Sequence, residues 1–333
     1  MRNAFNLLIG LIFFSAGILQ AQETIKFENL SEMKNDRYGF GYATAGKYIY
    51  TIDGGAFDLR GFLDNIDRFD TEKLTWERMK EKLIPRRYLN AEYIPSLNKL
   101  FIFNGEFTNN KTYNLIANNY ASRNNKRKLT DIIEIVDLSS NTISTTISNP
   151  NAVRHAGSAV WDNKIYVFGG WDPKGFSDKL YVYDPVTDKW TRLENMSEAK
   201  QTKGVVVEGI LYTFGGFDND AANYKTIHAY NIKENKWSLV GELPERISAN
   251  AIASDGRNIW LVGSYNDLNF LAAFDTKTKS VKTFKSNMTG RRHAGAQVIN
   301  NRLYVFGGNQ APDNRTALTD LQCADISKYI DKN

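Results

Sequence analysis

Cys323 is the only cysteine among 333 residues, so the chain can form neither an internal disulfide nor a multi-cysteine metal site. Histidine is nearly as scarce: His155, His228 and His293 are all there is, which leaves a histidine-based metal centre or catalytic triad poorly supplied. No metal and no cofactor is expected. Proline is sparse, 7 residues against 24 glycines, so tight backbone positions abound without breaker-rich segments. Neither sign of charge dominates. There are 42 basic and 37 acidic residues, for a net charge of +5. That is a mixed surface, not the concentrated basic face a nucleic-acid binder needs. Beyond the first 21 residues no run is apolar enough to span a bilayer, which takes about 20 residues.

What the chain does have is a globular composition, 42% hydrophobic and 24% charged, with aromatics at 13%. Its length suits two ordinary domains or one large all-β unit. Residues 1–21 read as a secretory signal peptide: Arg2 supplies the positive start, Leu7 to Leu19 the apolar stretch, and Ala21 the small-residue exit. The expectation is an exported protein, periplasmic or extracellular, with residues 22–333 forming the mature domain.

A repeat organises that domain. An apolar run ending in a small-residue pair occurs six times: Gly54-Gly55, Asn104-Gly105, Gly169-Gly170, Gly215-Gly216, Gly263-Ser264 and Gly307-Gly308. The steps are 44 to 50 residues, with one of 65 that holds an insertion. After each pair a second run ends in an acid or amide, at Asp70, Asp137, Asp184, Asn231, Asp275 and Asp325. Six residues beyond the first five of these stands an apolar residue: Trp76, Ile143, Trp190, Trp237 and Val281. Ahead of each pair stands a base: Arg37, Arg87, Arg154, Lys200, Arg246 and Arg292. Each unit therefore reads as four short antiparallel strands. A unit of that kind cannot bury its own faces, so six of them predict a ring of radial blades.

The pattern resembles the kelch repeat, most closely in RHAGSAVWDNKIYVFGGWD followed by KLYVYDPVTDKW. The resemblance implies an all-β, six-bladed kelch-type β-propeller, the galactose oxidase-like architecture. The sixth unit lacks a fourth strand, because the chain ends shortly after Asp325. Phe27 lies ten residues before Arg37, as Trp190 lies ten before Lys200. The N-terminal segment, with Phe27 in the Trp place, should close the ring by completing the last blade.

The connections after strand two and after strand four emerge on one side of such a ring. That predicts a mouth where the six bases alternate with Phe57, Glu106, Trp171, Phe217 and Tyr265. Arginine suits carboxylates through its paired donors. The reading is a monomeric binding module, more than an enzyme, that takes an acidic peptide, glycan or partner protein at Arg37, Arg87, Arg154, Lys200, Arg246, Arg292, Glu106, Trp171, Phe217 and Tyr265. Each base could instead pair with nearby carboxylates as a structural element. The alternative function is an exported sugar mutarotase or epimerase similar to N-acetylneuraminate epimerase, with Glu106 carrying the proton. Copper radical oxidases, which the architecture also implies, need more histidine than this chain has. His155 and His293 occupy one slot in opposite blades and could face each other across the channel. Residues 106–130, basic and rich in Asn, form an insertion in blade two that should overhang the mouth.

Overall fold

The computed structural model describes residues 22–59, 61–107, 129–219, 224–310 and 317–330. Each unit becomes a four-stranded antiparallel sheet. Blade one is built from Gly41–Ala45, Tyr48–Ile52, Asn65–Asp70 and Thr75–Lys82. Blade three uses Gly157–Trp161, Lys164–Phe168, Leu180–Asp184 and Lys189–Arg192 in the same order. Strand two is covered on both faces by neighbouring blades, so it reads as a nearly continuous apolar run, as in IYVF, and is buried almost throughout. Strand four lies at the rim, and in blade two it has no buried residue. The hairpin between strands one and two turns on pairs with positive φ, such as Asp162-Asn163 and Asn300-Asn301, the conformation that two-residue β-hairpins favour.

The core is divided among the blade interfaces. Phe40, Ile49 and Phe69 of blade one meet Tyr304, Phe306 and Leu321 of blade six. Phe101, Phe103 and Ile133 of blade two meet Val153, Ile165 and Tyr183 of blade three. The Trp of strand four seals these seams: Trp190 lies 4.8 Å from the Tyr183 ring, and Trp76 lies 5.1 Å from Phe69. Trp260 fills the equivalent space between blades five and six from strand two, fully buried against Phe284.

The ring closes through the N-terminal segment. Glu28–Glu32 pairs antiparallel with Asp320–Asp325 as the fourth strand of blade six. The register Glu28 to Cys323 sets Phe27 opposite Ala324, as Trp190 is set opposite Tyr183. Phe27 is buried in the seam between blades five and six. Just ahead of it, Thr24–Ile25 runs parallel to Lys285–Ser286 of blade five. Asn287 then grips the Phe27 backbone twice, accepting from its N–H at 2.7 Å and donating to its carbonyl at 3.0 Å. Cys323 is buried and accepts a hydrogen bond from Arg302. Among the described residues, no helix is long and apolar enough to cross a membrane. The segment read as a signal peptide, 1–21, lies outside the described residues, and so do 108–128 of the insertion.

Candidate functional site

The chain entering strand one of each blade passes three successive positions, and the bases divide between the first two. At the first stand Arg37, Arg86, Val153, Lys200, Ile247 and Arg291. Four of their carbonyls, those of Arg37, Arg86, Val153 and Lys200, accept from Gly308, Gly54, Gly105 and Gly170 respectively. All six residues are buried. Arg37 is held by Asp67 at 2.5 Å and by the Asp53 carbonyl. Arg86 binds Glu134 and the carbonyls of Asn104 and Ile132. Lys200 binds Glu198 and lies over the Tyr224 ring. Arg291 binds Asp320 at 2.7 Å and Gln322 at 2.8 Å. Each of these side chains is held within the blade it leads into, while the carbonyls of Arg37, Arg86 and Lys200 tie back to the preceding blade.

The expectation of six mouth bases at one repeat position therefore needs correction. Arg37 and Lys200 lie inside the walls, where neighbouring carboxylates take up their charge. Arg246 precedes the buried position by one residue and is exposed at the rim, its carbonyl accepting from Asn266. Among the described bases of the repeat, those at the mouth are Arg87, Arg154 and Arg292, at the second position with Tyr38, Gln201 and Ser248.

The second position pairs across a two-residue bridge with the segment that follows each small-residue pair, and this presents its side chains in register. Arg87 faces Glu106, Arg154 faces Trp171, Gln201 faces Phe217 and Arg292 faces Asn309. Glycine is required where this bridge crowds the turn. Gly308 has φ +92°, and a Cβ there would lie 2.6 Å from the Arg292 carbonyl. Glu106 is clamped: one oxygen takes Arg87 Nε at 2.5 Å and the other takes Arg154. Arg87 also donates to the Tyr38 hydroxyl and lies 4.8 Å from the Phe62 ring centre. Tyr38 stacks on Phe57 at 4.8 Å. The Arg154 guanidinium covers Trp171 at 4.2 Å. Phe217 sits edge-on to Phe176 at 5.7 Å. Arg292 lies over the half-exposed ring of Tyr265 at 4.0 Å. Its Nε has no partner, and no carboxylate among the described residues pairs with it.

The third position forms a collar around the axis from Gly39, Tyr88, His155, Thr202, Ala249 and His293. A chain of backbone bonds runs through five of them: His293 donates to Ala249, Gly39 to His293, Tyr88 to Gly39 and His155 to Tyr88. Each of those five has positive φ. The His155 and His293 ring centres are 5.8 Å apart, and Tyr88 stacks on His155 at 3.7 Å. Burial, with the nearby cations, pushes His293 down to about 3 and lowers His155 in the same direction, so both rings are neutral at physiological pH. His228 is away from the axis, buried in strand three of blade four with its Nε2 3.2 Å from the Ser197 hydroxyl.

Beneath the collar the strand-one residues line a cavity of about 290 Å³. Among the described residues Glu92 is the one acid on its wall; it accepts from Ser158 at 2.5 Å, and burial raises its carboxyl to about 7. Lys203 is the one base there among the described residues. Neither was singled out by sequence pattern. The signal available was a charge in an otherwise small or apolar strand-one run, where Glu92 stands in a place that Ala43 and Ala159 fill in neighbouring blades.

The pattern of the KLHDC2/KLHL20/DRC7 Kelch-repeats domain matches residues 39–264. Among curated proteins, Kelch-like protein 26 of Danio rerio is 32% identical over 165 residues, which is 46% of this chain and 27% of that protein. Alpha-scruin of Limulus polyphemus is 24% identical over 195 residues, 53% of this chain and 21% of that protein. The match thus spans only about a quarter of these relatives' own length. Among solved structures, that titled "Structure of YjhT" superposes with a TM-score of 0.69 at 15% identity, covering 87% of this chain and 95% of that one. That likeness concerns the fold alone.

Proposed function

The chain belongs to the kelch-repeat family, and from that premise we propose that it is an exported, monomeric binding propeller whose mouth takes an acidic ligand: a peptide, a glycan or an acidic surface of a partner protein. The kelch propeller fold suggests a protein-binding role. Arg292 supports the acidic character. It is only 6% exposed, its guanidinium is pinned on Tyr265, and no carboxylate among the described residues balances it. A buried cation left without a counter-ion is costly. A ligand carboxylate at this edge of the mouth relieves that cost and gains from a preorganised donor.

Arg87 and Arg154 contribute differently. Glu106 already holds them, so they present a partly neutralised pair flanked by Tyr38 and Trp171. The same clamp weighs against the mutarotase or epimerase reading, because both Glu106 oxygens are occupied by guanidinium groups.

The test uses a partner or acidic peptide recovered by affinity capture. A charge-assisted hydrogen bond contributes ~1.5–3 kcal/mol, so Arg292→Ala should weaken binding by roughly ten- to a hundredfold. The melting temperature should stay near that of the parent, and added salt should weaken binding further. Loss of stability with unchanged affinity would sink the proposal.

A further inference from the structure

The collar has a gap. The chain of backbone bonds that links Ala249, His293, Gly39, Tyr88 and His155 does not include Thr202 of blade four. Thr202 also lacks the positive φ of the other five, and its hydroxyl turns outward to the carbonyls of Phe214 and Gly215. The register between strands one and two of blade four is shifted at this point, between Gln201 and Lys203.

Lys203 stands in the gap. With Phe40, Tyr42 and Leu89 it lines both the hollow at the mouth and the cavity of about 290 Å³ beneath the collar, and among the described residues it is the one charged side chain common to the two. In the strand ladder Lys203 lies opposite Phe214, so its counterparts in the other blades are Gly41, Asn90, Gly157, Ala251 and Gly295, which carry no charge. The amine makes one long hydrogen bond, 3.5 Å to the Ala156 carbonyl. No described carboxylate lies within ion-pair distance of it. Glu92, the nearest in charge effect, is turned to Ser158 instead. An ammonium has three donors and is strongly hydrated. Holding it in a confined opening, next to the field of Arg87, Arg154 and Arg292, needs a compensating charge.

We propose that the gap beside Lys203 is a site for a small anion, a carboxylate or a phosphate group. The Lys203 ammonium is its ion partner, and the wall formed by Asn90, Tyr93, Ser158 and Gln297 makes room for a polar body. The site lies inside the collar and is separate from the rim where Arg292 acts, so it stands or falls independently of the binding role proposed for the mouth.

Titration calorimetry with inorganic phosphate and with succinate, in low-salt buffer, tests this on the parent protein, Lys203→Met and Arg292→Ala. At least one probe should bind saturably below roughly 10 mM, corresponding to a weak single-ion site. Lys203→Met should weaken it about tenfold or more, and Arg292→Ala should leave it within about threefold, since Arg292 acts on the ion only through its field at a distance whereas Lys203 contacts it. Binding of phosphate alone or of succinate alone identifies the anion class. Glu92→Gln removes the opposing negative charge and should tighten binding, which keeps the test sharp if Lys203→Met fails to fold. The proposal is overturned if neither probe saturates, if Lys203→Met and Glu92→Gln both bind like the parent, or if Arg292→Ala loses as much as Lys203→Met.

Discussion

A protein lacking residues 22–31 should aggregate on expression or melt far below the parent. Those residues supply the fourth strand of blade six as far as Ser31, together with the parallel contact to Lys285–Ser286 and the buried side chains of Ile25 and Phe27. Truncating one buried Phe costs ~3–5 kcal/mol and one buried Ile ~2–5 kcal/mol. Against a typical total of ~5–15 kcal/mol, the two together reach the limit of what a fold survives. The deletion also uncovers the Asp320–Asp325 edge, an open template for pairing with other chains. Size-exclusion chromatography and calorimetry on the deletion and on Phe27→Ala check this. The point variant should stay folded with lower stability. A monomeric deletion with an unchanged melting temperature would refute the closure.

Arg86→Ala should cost about 3–5 kcal/mol, the usual penalty for orphaning one member of a buried ion pair. Its neighbour Arg87→Ala should cost about 1 kcal/mol or less, as for partly exposed pairs. Adjacent residues differ this much because Arg86 and Glu134 are fully buried against each other, whereas Arg87 opens to solvent at the mouth. The loss in Arg86→Ala should also depend on pH. Burial raises the Glu134 carboxyl, and Arg86 counters that rise. Without Arg86 the folded-state value lies further above the unfolded one, so the native state binds the extra proton. Stability is then better kept at low pH and declines as pH rises through the folded-state value. Urea titrations at pH 5.5 and pH 8 should show the larger deficit at pH 8. Equal deficits for Arg86→Ala and Arg87→Ala would mean that the two positions do not differ as the structure places them.

The architecture was legible because it is written in repeats: strand runs, turn pairs, terminal acids and seam aromatics return at nearly constant spacing. Even the closing strand was visible, in the ten-residue interval from Phe27 to Arg37. The site was harder to read because one residue decides which side of a wall a side chain occupies. Arg86-Arg87 and Arg291-Arg292 each place one base inside a blade wall and the next at the mouth. Counting back from the glycines over 15 to 17 residues does not separate them. The same ambiguity affects blade one. There Asp53-Gly54, not Gly54-Gly55, takes the turn, since Asp53 has φ +54° and the Gly54 N–H reaches the Arg86 carbonyl as Gly105 reaches Val153. Asp tolerates a left-handed conformation better than most residues, which hides the register from a search for diglycine. Lys203 and Glu92 escaped notice because a single charge in an apolar strand follows no period.

The pairing that shuts the ring also sets an order of events. Gln322 and Asn29, hydrogen-bonded at 2.7 Å, are 293 residues apart along the chain. Contacts at that separation form late, because much of the loop-closure entropy must be spent before they yield any stabilisation. Five blades can assemble from local hairpins while the first strand waits for the sixth. We predict that the rate-limiting barrier is crossed with the seam at Phe27 still open. Phe27→Ala should therefore leave the refolding rate nearly unchanged and speed unfolding, which stopped-flow chevrons would show as a shift in the unfolding limb alone.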